Sequence, residues 1–136
     1  MKLIICCDKN CGISFAGRRQ SSDSAVRKKI YEIIGDQKLY LNSYSEGQFE
    51  NTERLFISES FISDMKNGDF CFEETTEPDL TLFDEIYVFN WNRYYPADRY
   101  LSLESPFKKI KSINFEGNSH KKITLSVYGR EEKWKT

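Results

Sequence analysis

The stretch from Ser21 to Gly35 spells out a whole helix, and its place in the chain restricts the folds open to the rest. Ser21, Ser22 and Asp23 are residue types whose side-chain oxygens accept from the free N–H groups of a helix's first turn. Val26, Ile30, Ile33 and Ile34 recur at offsets that share one face, while Arg27, Lys28, Lys29 and Glu32 take the other. Gly35 supplies the stop. An apolar run, Lys2–Cys7, precedes this helix and a short one, Lys38–Leu41, follows it. Strands that alternate with helices belong to a mainly parallel sheet covered on both faces.

The alternation continues. Leu55–Ser58 and Asp69–Glu73 read as strands, with a brief amphipathic helix around Phe61, Ile62 and Met65 between them. A helical turn is expected at Ser45–Phe49 and one or two more between Pro78 and Phe83. The last third changes character. Glu85–Trp91 is strongly β-prone, and Arg99–Leu103 reads as a short strand. Phe107–Phe115 and Ile123–Tyr128 form a bulged antiparallel hairpin around the turn Glu116–His120. Between the first strand and the helix, Asp8–Asp23 has glycines, serines and no period, so it reads as a sixteen-residue loop. Loops of that length in compact domains commonly carry function.

A chain of 136 residues suits one domain over 1–136. Lys and Arg number 20 against 21 Asp and Glu, with a pI near 5.9, so no bulk positive charge favours nucleic acid or an anionic membrane. No apolar run is long enough to span a membrane, and the N-terminus is too short in apolar residues for a signal peptide. The expected location is the cytoplasm. Four cysteines and the single His120 do not make the paired spacing of a structural zinc site, so no metal is expected. Cys6 and Cys71 read as buried thiols.

Several segments are similar to the dihydrofolate reductase family. Asp8-Lys9-Asn10-Cys11-Gly12-Ile13 resembles the family's turn after the first strand, and Asp23 stands where that family keeps its buried acid. Tyr87–Asp98, and Gly117-Asn118-Ser119-His120 followed by Ile123–Arg130, resemble its last three strands. The resemblance implies a three-layer α/β domain, a mostly parallel sheet with an antiparallel C-terminal hairpin. Gly17-Arg18-Arg19-Gln20-Ser21-Ser22-Asp23, Tyr95-Pro96-Ala97-Asp98 and Ser119-His120-Lys121-Lys122-Ile123-Thr124 are also similar to segments of small bacterial proteins sometimes labelled ribonuclease Z. That enzyme needs a His-x-His-x-Asp-His zinc motif, which a chain with one histidine does not have.

By that resemblance Asp23 would be the catalytic acid that hydrogen-bonds a pterin edge; by its position alone it is a helix cap. Where the family places an apolar wall, this chain has Arg18-Arg19-Gln20-Ser21-Ser22, two guanidiniums suited to an anion. Gly12, Arg18, Arg19, Asn42, Ser43 and Ser45 are therefore the candidate ligand contacts. The cofactor side departs further. Asn42-Ser43-Tyr44-Ser45 replaces a motif containing arginine, and Glu73-Glu74 stands where two glycines let the backbone approach a pyrophosphate. NADPH is disfavoured as a cofactor. Glu73, Glu74, Glu77 and Asp79 form an acidic patch, read as a solvated loop or as a site for a divalent cation. His120 is expected to serve the turn's hydrogen bonds, with a ligand or catalytic role as the alternative. The expected function is that of a non-reductase binding a small anionic or nucleotide-like ligand. The alternatives are an NADPH-dependent reductase of a pterin-like substrate, and a protein-interaction module using the aromatic segment around Trp91.

Overall fold

The computed structural model describes residues 1–50, 53–104 and 106–130. Its centre is a sheet in the order β5-β4-β6-β1-β7-β10-β9, formed by Leu55–Ile57, Leu39–Leu41, Phe70–Glu73, Lys2–Cys7, Glu85–Asn90, Ile123–Arg130 and Phe107–Phe115. The first five strands are mutually parallel, and β10 runs antiparallel to both β7 and β9. The expected bulge in the terminal hairpin falls between Val127 and Tyr128.

Alternation along each buried strand divides the apolar residues between two faces. Ile4, Leu39, Leu41, Phe70, Phe72, Phe89 and Leu125 join one cluster, covered by α1 (Ser24–Ile34) through Val26, Ile30 and Ile34. Each of these three helix residues contributes about 2 kcal/mol by leaving water. Leu3, Ile5, Cys7, Tyr40, Cys71, Ile86 and Val88 join the other cluster. That face has no long helix among the described residues. It is closed by Ile13 of a small sheet, by Phe61 and Met65 at a 3-10 turn (Phe61–Asp64), and by Phe83 after a second one (Leu80–Leu82). A single turn of helix, α2 (Ser43–Glu46), follows β4.

The segment 8–23, expected to be irregular, contains a hairpin. β2 (Gly12–Phe15) pairs with β3 (Arg18–Arg19), and β8 (Arg99–Tyr100) adds to the other edge of β2. The two linking residues, Ala16 and Gly17, have φ of 52° and 72°. Two positive φ values are what a two-residue hairpin turn with the right twist requires. Alanine seldom takes that conformation, which is why the sequence hides the turn. Here the Ala16 N–H is held by Asp98 Oδ2 at 3.0 Å.

Candidate functional site

Two groups of polar side chains converge where the β2–β3 hairpin crosses the C-terminal ends of β1 and β6. The first is built on Asp23, which is 4% exposed. It caps α1 through the N–H of Ala25, and the same Oδ1 takes the N–H of Asn118 at 2.8 Å. Its Oδ2 takes the N–H of Ser119 at 2.8 Å, the Ser119 hydroxyl at 3.1 Å and His120 Nδ1 at 2.9 Å. Burial opposes the charge, but the Asn118 N–H, His120 and the N–H groups of Ser119 and Ala25 outweigh it and hold the carboxyl well below its ordinary range. Both oxygens are therefore engaged by the protein itself, in keeping with the cap reading of this residue. Gly117 permits the approach: a Cβ there would lie 2.7 Å from Asp23 Oδ2 and 2.6 Å from the His120 carbonyl.

Beyond its bond to Asp23, the His120 ring faces three hydroxyls, with Ser119 Oγ 3.1 Å from Nδ1. Nε2 is 3.1 Å from Ser21 Oγ and 3.0 Å from the Tyr95 hydroxyl, and Trp91 stacks on the ring at 4.6 Å between centroids. Trp91 is 3% exposed. Its indole is part of the core, and the exposed aromatic of that segment is Tyr94.

The second group is built on Glu74, which is 6% exposed. Its carboxylate takes Arg19 Nε at 2.9 Å and Arg19 Nη2 at 3.1 Å, and both the Ser45 hydroxyl and Gln48 Nε2 at 2.8 Å. Arg19 also lies over the Tyr44 ring, 4.4 Å from its centroid, and donates to the Tyr44 carbonyl. The bond to Glu74 raises the arginine's already high pKa. Cys6, Ile13, Trp91, Gln20 and Ser21 complete the walls of the cleft between the two groups. Its free space is about 10 Å³, room for about one water. Burial, and then the charge of Glu74, push the Cys6 thiol up and keep it protonated.

The other expected contacts also meet partners from the chain itself. Asn42 caps α2 by accepting from the Ser45 N–H at 3.0 Å. Ser43 gives its N–H and its hydroxyl to Glu59, which lowers that carboxyl's pKa. Glu73 turns back to accept from the N–H groups of Glu74 and Thr75. Gly12 is a packing position, because a Cβ would come within 2.5 Å of Ala97 Cβ. Its N–H donates to the buried Asp8, whose other oxygen takes the Tyr95 N–H at 3.0 Å and Gln20 Nε2 at 3.2 Å. Arg18 is exposed and has no side-chain hydrogen bond or ion pair among the described residues. The same residues contain no group of three or more His, Cys, Asp or Glu able to hold a metal ion. No helix is long and apolar enough to cross a membrane.

The sequence singled out Asp23, Arg19, Ser45, Glu74 and His120, which the fold brings to this one cleft. Gln48 and Glu59 had not been singled out. Each is a lone polar residue in a turn, with no spacing to mark it. Tyr95 was noted only within the aromatic segment and the Tyr95–Asp98 motif, and Ser21 as a capping type within the 17–23 segment, neither as a partner of His120.

Among solved structures the chain is similar to dihydrofolate reductase from Enterococcus faecalis, complexed with NADP(H) and RAB-propyl. The match has a TM-score of 0.66 over 96% of this chain and 96% of that one, at 12% identity. The chain has a dihydrofolate reductase-like fold. The likeness at that identity concerns the fold and reaches no further. No family model matches the sequence, no curated protein matches it, and nothing in the comparisons supports a ribonuclease Z label.

Proposed function

We propose that this dihydrofolate reductase-like chain is not an ordinary NADPH-dependent reductase but binds a small anionic ligand at Arg19, Ser45 and Gln48. One observation carries the reading: the Glu74 carboxylate already sits there as an anion, receiving donors from all three of those residues. A carboxylate and a phosphate oxygen ask for the same donors, and an arginine fork with a hydroxyl and an amide is a suitable set for either. Glu74 is the internal stand-in that a ligand displaces.

Two further carboxylates weigh against a nicotinamide dinucleotide. Glu59 takes the N–H and hydroxyl of Ser43, and Glu73 takes two successive backbone N–H groups after β6. Each places negative charge where a phosphate would need donors.

Titration of 15N-labelled protein with inorganic phosphate, ADP and NADPH tests this. Phosphate or ADP is expected to shift the amides around Arg19, Ser45 and Gln48. Glu74→Gln, which removes the competing charge, is expected to tighten phosphate binding about tenfold, or about 1.4 kcal/mol. Nicotinamide absorbance with NADPH and dihydrofolate is expected to stay constant. Absence of any shift in both proteins would rule out the anion site, and steady NADPH consumption would restore the reductase reading.

A further inference from the structure

We propose that Ser21, His120 and Asp23 form a nucleophile, base and orienting acid that transfer the acyl group of a small ester to water. The proposal stands on geometry separate from the Arg19–Glu74 anion site and does not depend on it. Asp23 Oδ2 lies 2.9 Å from His120 Nδ1, and His120 Nε2 lies 3.1 Å from Ser21 Oγ. Those are the two hydrogen bonds by which a serine is made nucleophilic, and the constellation is recognised by such geometry rather than by chain order or fold.

The direction of each bond follows from the acid. Asp23 receives the N–H groups of Ala25, Asn118 and Ser119 and the Ser119 hydroxyl, so it is an acceptor toward the ring as well. Nδ1 therefore donates to it, and the neutral ring presents Nε2 as an acceptor to Ser21. Depth follows the same order. Asp23 and His120 are buried, with His120 3% exposed, while Ser21 is half-buried and open to an incoming carbonyl. Trp91 holds the ring plane by stacking, and its face favours the imidazolium that forms when Nε2 takes the proton.

The surroundings of Ser21 suit an acyl group. Its cavity is walled by apolar Ile13, Trp91 and Cys6 and by the Arg19–Glu74 pair, whose opposite charges offset each other. Gln20 lines the same cavity. Its Oε1 is the one buried side-chain oxygen or nitrogen among the described residues without a hydrogen-bond partner, an acceptor left for a water or a substrate hydroxyl. The space there is that of about one water, so the acyl group must be small and the alcohol must stay on the solvent side.

The steps balance without an added oxidant or reductant. Ser21 Oγ bonds to the acyl carbon as its proton moves to His120 Nε2. The ester C–O bond then breaks, and the departing alcohol oxygen takes that proton. Water next adds to the acyl carbon, giving a proton to Nε2. Finally the C–Oγ bond breaks, Oγ recovers the proton, and the carboxylic acid leaves. Tyr95 donates to the same ring nitrogen from the other side and competes with Ser21 for it.

Intact mass measurement after treatment with an alkyl fluorophosphonate tests the proposal on the wild-type protein. One adduct is expected, mapping to Ser21, with loss of fluoride. Ser21→Ala, a nearly isosteric change, is expected to abolish it while circular dichroism stays that of the wild type. His120→Gln is expected to slow labelling at least a hundredfold, and Tyr95→Phe to speed it by freeing Nε2. p-Nitrophenyl acetate should show turnover that is lost in Ser21→Ala. No adduct on folded wild-type protein, an adduct on Tyr95, or equal labelling of Ser21→Ala would each overturn it.

Discussion

Asp23 and Glu74 are two buried acids in one cleft, and each is surrounded by donors that belong to the protein. For Asp23 the consequence is a definite pH dependence. Its folded pKa lies below its ordinary value of 3.8, so it contributes stability that is complete above that value and is lost as pH falls toward the folded one. Asp23→Asn removes the charge while leaving an acceptor for Ala25 and Asn118. It is expected to cost about 3 kcal/mol at neutral pH, because the Ser119 N–H and His120 Nδ1 lose a charged acceptor and face an amide donor instead. The gap between variant and wild type should shrink as pH falls below about 4. Urea melts of both proteins between pH 2 and 7 measure it, and a gap independent of pH would show that the charge contributes nothing. Asp23 itself was legible from the sequence, both as a cap and as a candidate acid. Its five donors were not, because four of them, on Asn118, Ser119 and His120, come from a turn almost a hundred residues away.

At the scale of elements, the turn between β9 and β10 and the start of α1 form one joint. Gly117 makes it close: its N–H meets the His120 carbonyl at 2.8 Å, and the space where a Cβ would stand is taken by Asp23 Oδ2, the His120 carbonyl and Ile123 Cδ1. Gly117→Ala therefore pushes the turn off the helix cap. A loss of about 2–4 kcal/mol is expected, from overpacking together with the disturbed cap. The amides of Asn118, Ser119 and Ala25 should lose hydrogen-exchange protection together, whereas those of β1 should keep theirs until global unfolding. Loss confined to the turn would show that the two elements are not coupled. Element order was the most legible property of this chain: α1, β1, the terminal hairpin and its bulge follow from period, caps and turn residues. The β2–β3 hairpin was hidden because its turn places alanine at positive φ. The short helical turns around Phe61–Met65 and between Pro78 and Phe83 were legible too; that they take the tighter 3-10 form and close the face opposite α1 was not.

For the molecule as a whole, the two apolar clusters lie on opposite faces of the same strands. Leu3 and Ile5 point to one side of β1 and Ile4 to the other; Ile86 and Val88 oppose Phe89 on β7. Neither face can come apart without exposing the sheet that the other packs on, so the described residues should unfold as one unit. Ile30 under α1 and Ile86 on the opposite face are both fully buried and serve as reporters. Ile30→Ala and Ile86→Ala are each expected to cost about 3 kcal/mol, lowering the melting temperature by roughly 10 °C. In both variants, far-ultraviolet and near-ultraviolet circular dichroism should still give one coincident transition. Two transitions in either variant would mean that the faces melt separately. The cleft depends on this unity, because Asp23 and Trp91 stand over the α1 face while Ile13 reaches into the other cluster. A change in either core should then loosen the Ser21–His120 and Arg19–Glu74 contacts together, measurable as parallel loss of the shifts and labelling described above.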